Sequence, residues 1–151
     1  MRVSALALLG FSTAANAQPA KLDPFCDELV QVIRAAGETP PFASFPMLTG
    51  RRDAPMLGFP SGCGRQPEAR QGPAFICYRQ LPPPELRVDA LADRIARCLP
   101  AAERLPDGGE GGPFGSHIVR FRTRGATIEL AEGGWRTEVG GQVALAIRPA
   151  R

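Results

Sequence analysis

This sequence of 151 residues has very few of the side chains from which the commonest active sites are built. Its one histidine is His117, and a serine nucleophile usually needs a histidine base. Ser116 precedes it at the start of a predicted strand, where neighbouring side chains point to opposite faces. The stretch 58–62 (GFPSG) has its serine one place too late for a G-x-S-x-G motif, and no two acidic residues stand out as a catalytic pair. The sequence therefore predicts that the protein is not an enzyme.

Closely spaced cysteines and a strong excess of one charge are also absent. Cys26, Cys63, Cys77 and Cys98 include no pair at the spacing of a zinc site and no redox C-x-x-C motif. We therefore expect no metal and no cofactor. The 18 basic side chains nearly balance the 15 acidic ones, so electrostatics alone predict no nucleic-acid partner.

No apolar run is long enough to cross a membrane, but the first 17 residues have the pattern of a cleavable signal peptide. Arg2 is followed by an apolar run at 3–11, and 15–17 (ANA) has the small-x-small pattern that signal peptidase recognises. The run is far shorter than the ~20 residues of a spanning helix, which disfavours the alternative of an uncleaved anchor. We expect a signal peptide at 1–17 and a single exported domain at 18–151. The domain would be periplasmic or secreted, with no membrane insertion after cleavage.

Apolar residues at helical spacing predict two helices. The first covers 22–36, because Asp23-Pro24 is a typical helix start and Gly37 a typical end. The second covers about 85–99, directly after three consecutive prolines.

The four cysteines are expected to form two disulfides, because exported domains with dispersed, even-numbered cysteines are usually bridged. Two short strands are predicted between the helices, at 62–66 and 74–80, and as a hairpin they set Cys63 about opposite Cys77. We expect each helix to be linked to this hairpin, through Cys26–Cys63 and Cys77–Cys98. The alternative, one bridge between the helices and one between the strands, is equally compatible with the spacing.

The last third of the chain is predicted to be a four-stranded meander. It begins with a strand at 117–124 and a two-residue turn at Gly125-Ala126. That turn pairs Phe121 with Leu130 on the buried face and Arg122 with Glu129 on the other. Strands at 135–139 and 143–148 follow and are predicted to pair with each other.

These elements predict an α+β fold, a small disulfide-stapled domain of order α-β-β-α-β-β-β-β. Its antiparallel sheet is expected to have both helices packed on one face. The proline-rich segment 38–62 is unusually apolar, and we interpret it as wrapping the core. The alternative is that Phe42 and Phe45 form part of an exposed arm that grips a partner.

The other candidate binding surface is a row of arginines. Alternation places Arg120, Arg122 and Arg124 on one sheet face about 7 Å apart, with Arg136 or Arg148 as further neighbours. Guanidinium groups can bind carboxylates, phosphates or sulfates in a bidentate manner. The alternative is an ordinary solvated face in which Glu129 neutralises Arg122.

We expect a small, non-enzymatic, exported bacterial envelope protein that binds another envelope or secreted protein. In its size, its compartment and its disulfide bridges it is inhibitor- or immunity-like, that is, similar to small exported bacterial inhibitors and immunity proteins. The alternatives are a structural or assembly accessory of the envelope and a binder of an anionic glycan.

Overall fold

The computed structural model describes residues 23–49, 54–69, 71–106, 117–133 and 141–150, so the predicted signal peptide at 1–17 lies outside them. Within these residues the predicted α+β class is confirmed, with two α-helices on one face of an antiparallel sheet. The helices are α1 (Pro24–Ala35) and α2 (Val88–Cys98). The strands are β1 (Ala54–Met56), β2 (Phe59–Gln66), β3 (Ala74–Gln80), β4 (Glu103–Leu105), β5 (His117–Arg122), β6 (Ala126–Gly133) and β7 (Gln142–Pro149). Their order in the sheet is β1-β2-β3-β7-β6-β5-β4, with the short strands β1 and β4 at the edges.

The residue that caps the start of helix α1 also binds a side chain of helix α2. The Asp23 carboxylate accepts a hydrogen bond from the Phe25 amide at 3.1 Å, as an N-cap does. Arg94 of α2 donates to the same carboxylate at 2.7 and 2.9 Å, and its guanidinium lies 4.3 Å from the centre of the Phe25 ring. The hydrogen bonds from Arg94 are the main reason that the pKa of Asp23 is lowered. Asp23 thus orients both helices at one point.

The second predicted helix is interrupted near its start. A 3₁₀ turn at Pro84–Leu86 is followed by an extended Arg87, and α2 proper begins at Val88. The side chain of Arg87 does not cap the helix; instead Glu132 of β6 accepts a hydrogen bond from the Val88 amide at 3.3 Å. A side chain from the sheet therefore fixes where α2 begins.

The β5–β6 hairpin has the predicted buried face but a different register. Phe121 pairs with Ile128 and Arg120 with Glu129, so the predicted pairs of Phe121 with Leu130 and Arg122 with Glu129 are wrong. Each partner has moved by two residues, and side chains alternate with a period of two. The same residues are therefore buried.

The shift in register comes from the turn, which is at Arg124-Gly125 and not at Gly125-Ala126. The Thr123 hydroxyl accepts hydrogen bonds from the amides of Gly125 and Ala126 at 3.3 and 3.0 Å. The Thr123 amide donates to the Ala126 carbonyl at 2.9 Å, which closes the hairpin. A threonine side chain that mimics a backbone turn thus ends the strand one residue earlier than the glycine position suggests.

Strand β7 lies between β3 and β6, which corrects the predicted meander. Leu145 pairs with Cys77 on one side and with Leu130 on the other, so both edges of β7 are occupied. The segment 135–139, predicted as its partner, lies outside the described residues. Within the apolar run 143–147, Val143, Leu145 and Ile147 are buried on the side of the helices, and the alternate positions are alanines on the other side.

One disulfide joins the two helices and the other joins two strands, so the expected Cys26–Cys63 and Cys77–Cys98 bridges are wrong. Cys63 and Cys77 are direct cross-strand partners with Cα atoms 4.1 Å apart, and they are bonded to each other. Cys26, in the first turn of α1, is bonded to Cys98 at the end of α2, with Cα atoms 5.1 Å apart. The predicted opposition of Cys63 and Cys77 is confirmed, and that adjacency decides the pairing.

The interpretation of the segment 38–62 as part of the core is confirmed for its described residues. Phe42 is fully buried, and Phe45 is 9% exposed. Their rings lie 6.3 and 4.9 Å from the ring of Phe75 on β3, measured between centroids. Neither ring is available to a partner in this arrangement.

Candidate protein-binding surface

The sheet has a second face that neither helix covers, and we call it the outer face. Buried residues such as Leu130 and Leu145 point to the helices, so the alternate residues on the same strands point away. The outer face of the four central strands consists of alternate residues on each strand. These are Ile76 and Tyr78 on β3; Ala144, Ala146 and Arg148 on β7; Thr127, Glu129 and Ala131 on β6; and Ile118, Arg120 and Arg122 on β5.

One end of the outer face is apolar. Tyr78, Ala144, Ala131 and Ile118 pair in that order across four strands and are all half-buried. The two small alanines of this row, with Gly133 and Gln142 two residues further along β6 and β7, line a shallow depression of about 50 Å³. That volume is large enough for a small aliphatic side chain.

The next row along the strands carries an ion pair. The Nε of Arg120 donates to Oε2 of Glu129 at 2.8 Å, and both side chains are partly buried. Because the pair is a charge-assisted hydrogen bond of good length, the charge of Arg120 is already matched by a carboxylate. This arginine is less available to an outside ligand than the sequence suggested.

Two other arginines have only long contacts with carboxylates. Nη1 of Arg148 lies 3.9 Å from Glu129, and Nη1 of Arg122 lies 3.6 Å from Glu103. Both distances are too long for hydrogen bonds. The Nε of Arg148 is buried without a hydrogen-bond partner, although the side chain as a whole is 20% exposed. Thr127 pairs with both arginines in the sheet and so lies between them.

Comparison with known proteins adds nothing to this geometry. No protein-family model, no curated protein and no solved structure matches the chain. The assignment of a function therefore depends on the surface itself.

The structure separates the predicted arginine row. Arg120 and Arg122 lie on β5, but Arg124 is in the exposed turn beyond its end, and Arg136 lies outside the described residues. Arg148 of β7 is the arginine that joins the row across the sheet. The sequence indicated Arg148 only as a neighbour, because its place depends on the β6–β7 register. The role of Tyr78 was not predicted.

His117 belongs to a separate polar cluster at the start of α2. Its Nε2 lies 2.8 Å from Oδ1 of Asp89, and Arg87 forms an ion pair with Glu132. These four residues line an open depression of about 460 Å³. None of them carries a hydroxyl or thiol nucleophile. Asp89 is 82% exposed, and Glu132 is engaged in capping α2. The cluster therefore holds the start of α2 to the sheet.

The described residues contain no group of three or more histidine, cysteine or acidic side chains that could hold a metal ion. Across those same ranges, no helix is long and apolar enough to cross a membrane. The two disulfides are compatible with an oxidising compartment outside the cytoplasm.

Proposed function

We propose that this is a non-catalytic binding domain of the bacterial envelope, and that it holds a protein partner on the outer face of its sheet. The observation that carries the proposal is the composition of that face. A half-buried apolar row, Tyr78 to Ile118, adjoins the ion pair of Arg120 and Glu129, and Arg122 and Arg148 lie in the row beyond that pair. An apolar patch beside charged residues, with tyrosine and arginine prominent, is typical of protein interfaces.

The mixed charge of the face favours a protein over the alternative of an anionic glycan. Arg120 is hydrogen-bonded to Glu129, and Glu103 lies near Arg122. A sulfated or phosphorylated polymer would meet these carboxylates wherever it met the arginines. A protein surface can place an apolar group, a cation and an anion at separate points, which suits such a face better.

A single change at the centre of the face tests the proposal. We expect Ala144→Arg to abolish capture of the partner by the tagged mature domain from envelope extract, because a long charged side chain would fill the depression over Ala131. The matched control is Ala96→Arg on the exposed side of α2, which makes the same chemical change away from the sheet. Capture is measured by cross-linking and mass spectrometry, and folding by circular dichroism.

The outcomes separate binding by this face from other arrangements. The proposal predicts one stoichiometric protein that is retained by wild type and by Ala96→Arg and is lost with Ala144→Arg. Retention of that protein by a folded Ala144→Arg domain would contradict binding through the outer face. Loss with Ala96→Arg alone would place the partner on the helices instead.

A further inference from the structure

The outer face has a site at which carboxylates only partly neutralise the positive charge. The site is formed by Arg122, Thr127 and Arg148. They lie side by side on β5, β6 and β7, and Thr127 is the direct strand partner of both arginines. The two Cα atoms are therefore about 10 Å apart, a distance that two arginine side chains can close from opposite sides. A hydroxyl between two guanidinium groups is a suitable set of donors for one oxyanion.

The existing contacts of the two arginines leave them able to donate hydrogen bonds to another anion. Arg148 has a buried Nε without a hydrogen-bond partner and a contact of 3.9 Å with Glu129. Glu129 is already the acceptor for Arg120 at 2.8 Å. Arg122 is 61% exposed, and its contact with Glu103 is 3.6 Å long. Buried guanidinium donors are normally hydrogen-bonded, so the Nε of Arg148 is an unsatisfied donor.

The net charge around this site indicates how much negative charge a bound ligand should carry. The rows around Thr127 contain three arginines (Arg120, Arg122 and Arg148) and two glutamates (Glu103 and Glu129), a net charge of +1. One carboxylate would bring that count to zero. A dianion or a polyanion would add negative charge beside Glu129, where it is repelled.

We propose that Arg122 and Arg148, with Thr127 between them, bind a single carboxylate of an extended segment of the partner protein. The inference rests on the proposed function and specifies which chemical group of the partner the site recognises. The near edge of the depression, at Ala131 and Ala144, lies four residues along the strands from Thr127 and Arg148, which is about 13 Å. A segment that places an aliphatic side chain in the depression can therefore reach the arginines with an acidic side chain four residues away.

A symmetric peptide tests this spacing in either chain direction. The probe is acetyl-Glu-Ser-Ala-Ser-Leu-Ser-Ala-Ser-Glu-amide, in which both glutamates lie four residues from the leucine on the same side of an extended chain. The matched probe has glutamine in place of both glutamates. Binding is followed by the Nε–H signals of Arg122 and Arg148 in NMR titrations. We expect the glutamate peptide to bind at least ten-fold more tightly, because charge-assisted hydrogen bonds are the stronger kind.

Variants assign the difference to the two arginines. With Arg122→Gln or Arg148→Lys, we expect the preference for glutamate over glutamine to fall to less than three-fold, whereas Arg34→Gln on the exposed side of α1 leaves it unchanged. Equal binding of the two peptides, or no binding of either, overturns the carboxylate inference. Tighter, arginine-dependent binding of heparin or of inorganic phosphate overturns it in favour of a glycan or a free anion. Because capture with Ala144→Arg tests the outer face independently, failure of this inference is distinguishable from failure of the proposed function.

Discussion

Replacing both Cys26 and Cys98 by alanine is expected to lower the free energy of unfolding by about 4 kcal/mol. This disulfide joins residues 72 positions apart, so the unfolded chain gains much conformational freedom when it is lost. The Cys63–Cys77 bridge closes a separation of only 14, and its loss should cost about 3 kcal/mol. A domain of this size has about 5–15 kcal/mol of stability in total, so either loss is a large fraction.

Urea unfolding at pH 7, followed by circular dichroism, measures both effects against the oxidised wild type. The two double variants serve as controls for each other, because each keeps the other disulfide intact. Peptide mapping without reduction checks that the remaining bridge is the expected one. A loss below about 1 kcal/mol for the Cys26–Cys98 variant would contradict the entropic account of this bridge.

Phe42→Ala is expected to lower the free energy of unfolding by about 3–5 kcal/mol. Phe42 is fully buried and packs near Phe75, so the truncation removes apolar contacts and leaves a cavity. An exposed arm would behave differently, because truncating a solvated ring costs little. The same urea experiment therefore distinguishes a core segment from a gripping arm.

Met47→Ala provides the matched control within the same segment. Met47 is 44% exposed, and its removal should change the free energy of unfolding by less than about 0.5 kcal/mol. If Phe42→Ala were as mild as Met47→Ala, the segment would not be part of the core. Phe42 would then be available to a partner again.

The sequence was most informative where one local signal determines one local structure. Asp23 and Pro24 predicted the start of α1, and the opposition of Cys63 and Cys77 followed from pairing two neighbouring strands as a hairpin. It was less informative where a side chain competes with the backbone. The glycine at 125 suggested a turn one residue too late, because the hydrogen bonds of the Thr123 hydroxyl have no signature in an alternation pattern.

The binding surface depends on contacts between distant parts of the chain, and these were only partly predictable. Alternation placed Arg120 and Arg122 on one face of β5. That Glu129 would neutralise Arg120 and not Arg122 depended on the turn, and the place of Arg148 depended on β7 entering the centre of the sheet. Long-range strand order has no local signal, so the cluster of Arg122, Thr127 and Arg148 emerges only from the fold.

Site-specific photo-cross-linking of the protein tests the central claim most directly. A photoreactive aromatic residue is placed at Tyr78 on the outer face in one variant, where it replaces a side chain of similar size, and at Ala96 on α2 in another. Our account predicts that position 78 cross-links one protein of the envelope in high yield and that position 96 does not. Cross-linking of that protein from position 96 alone, or from neither position, would contradict the outer face as the binding surface.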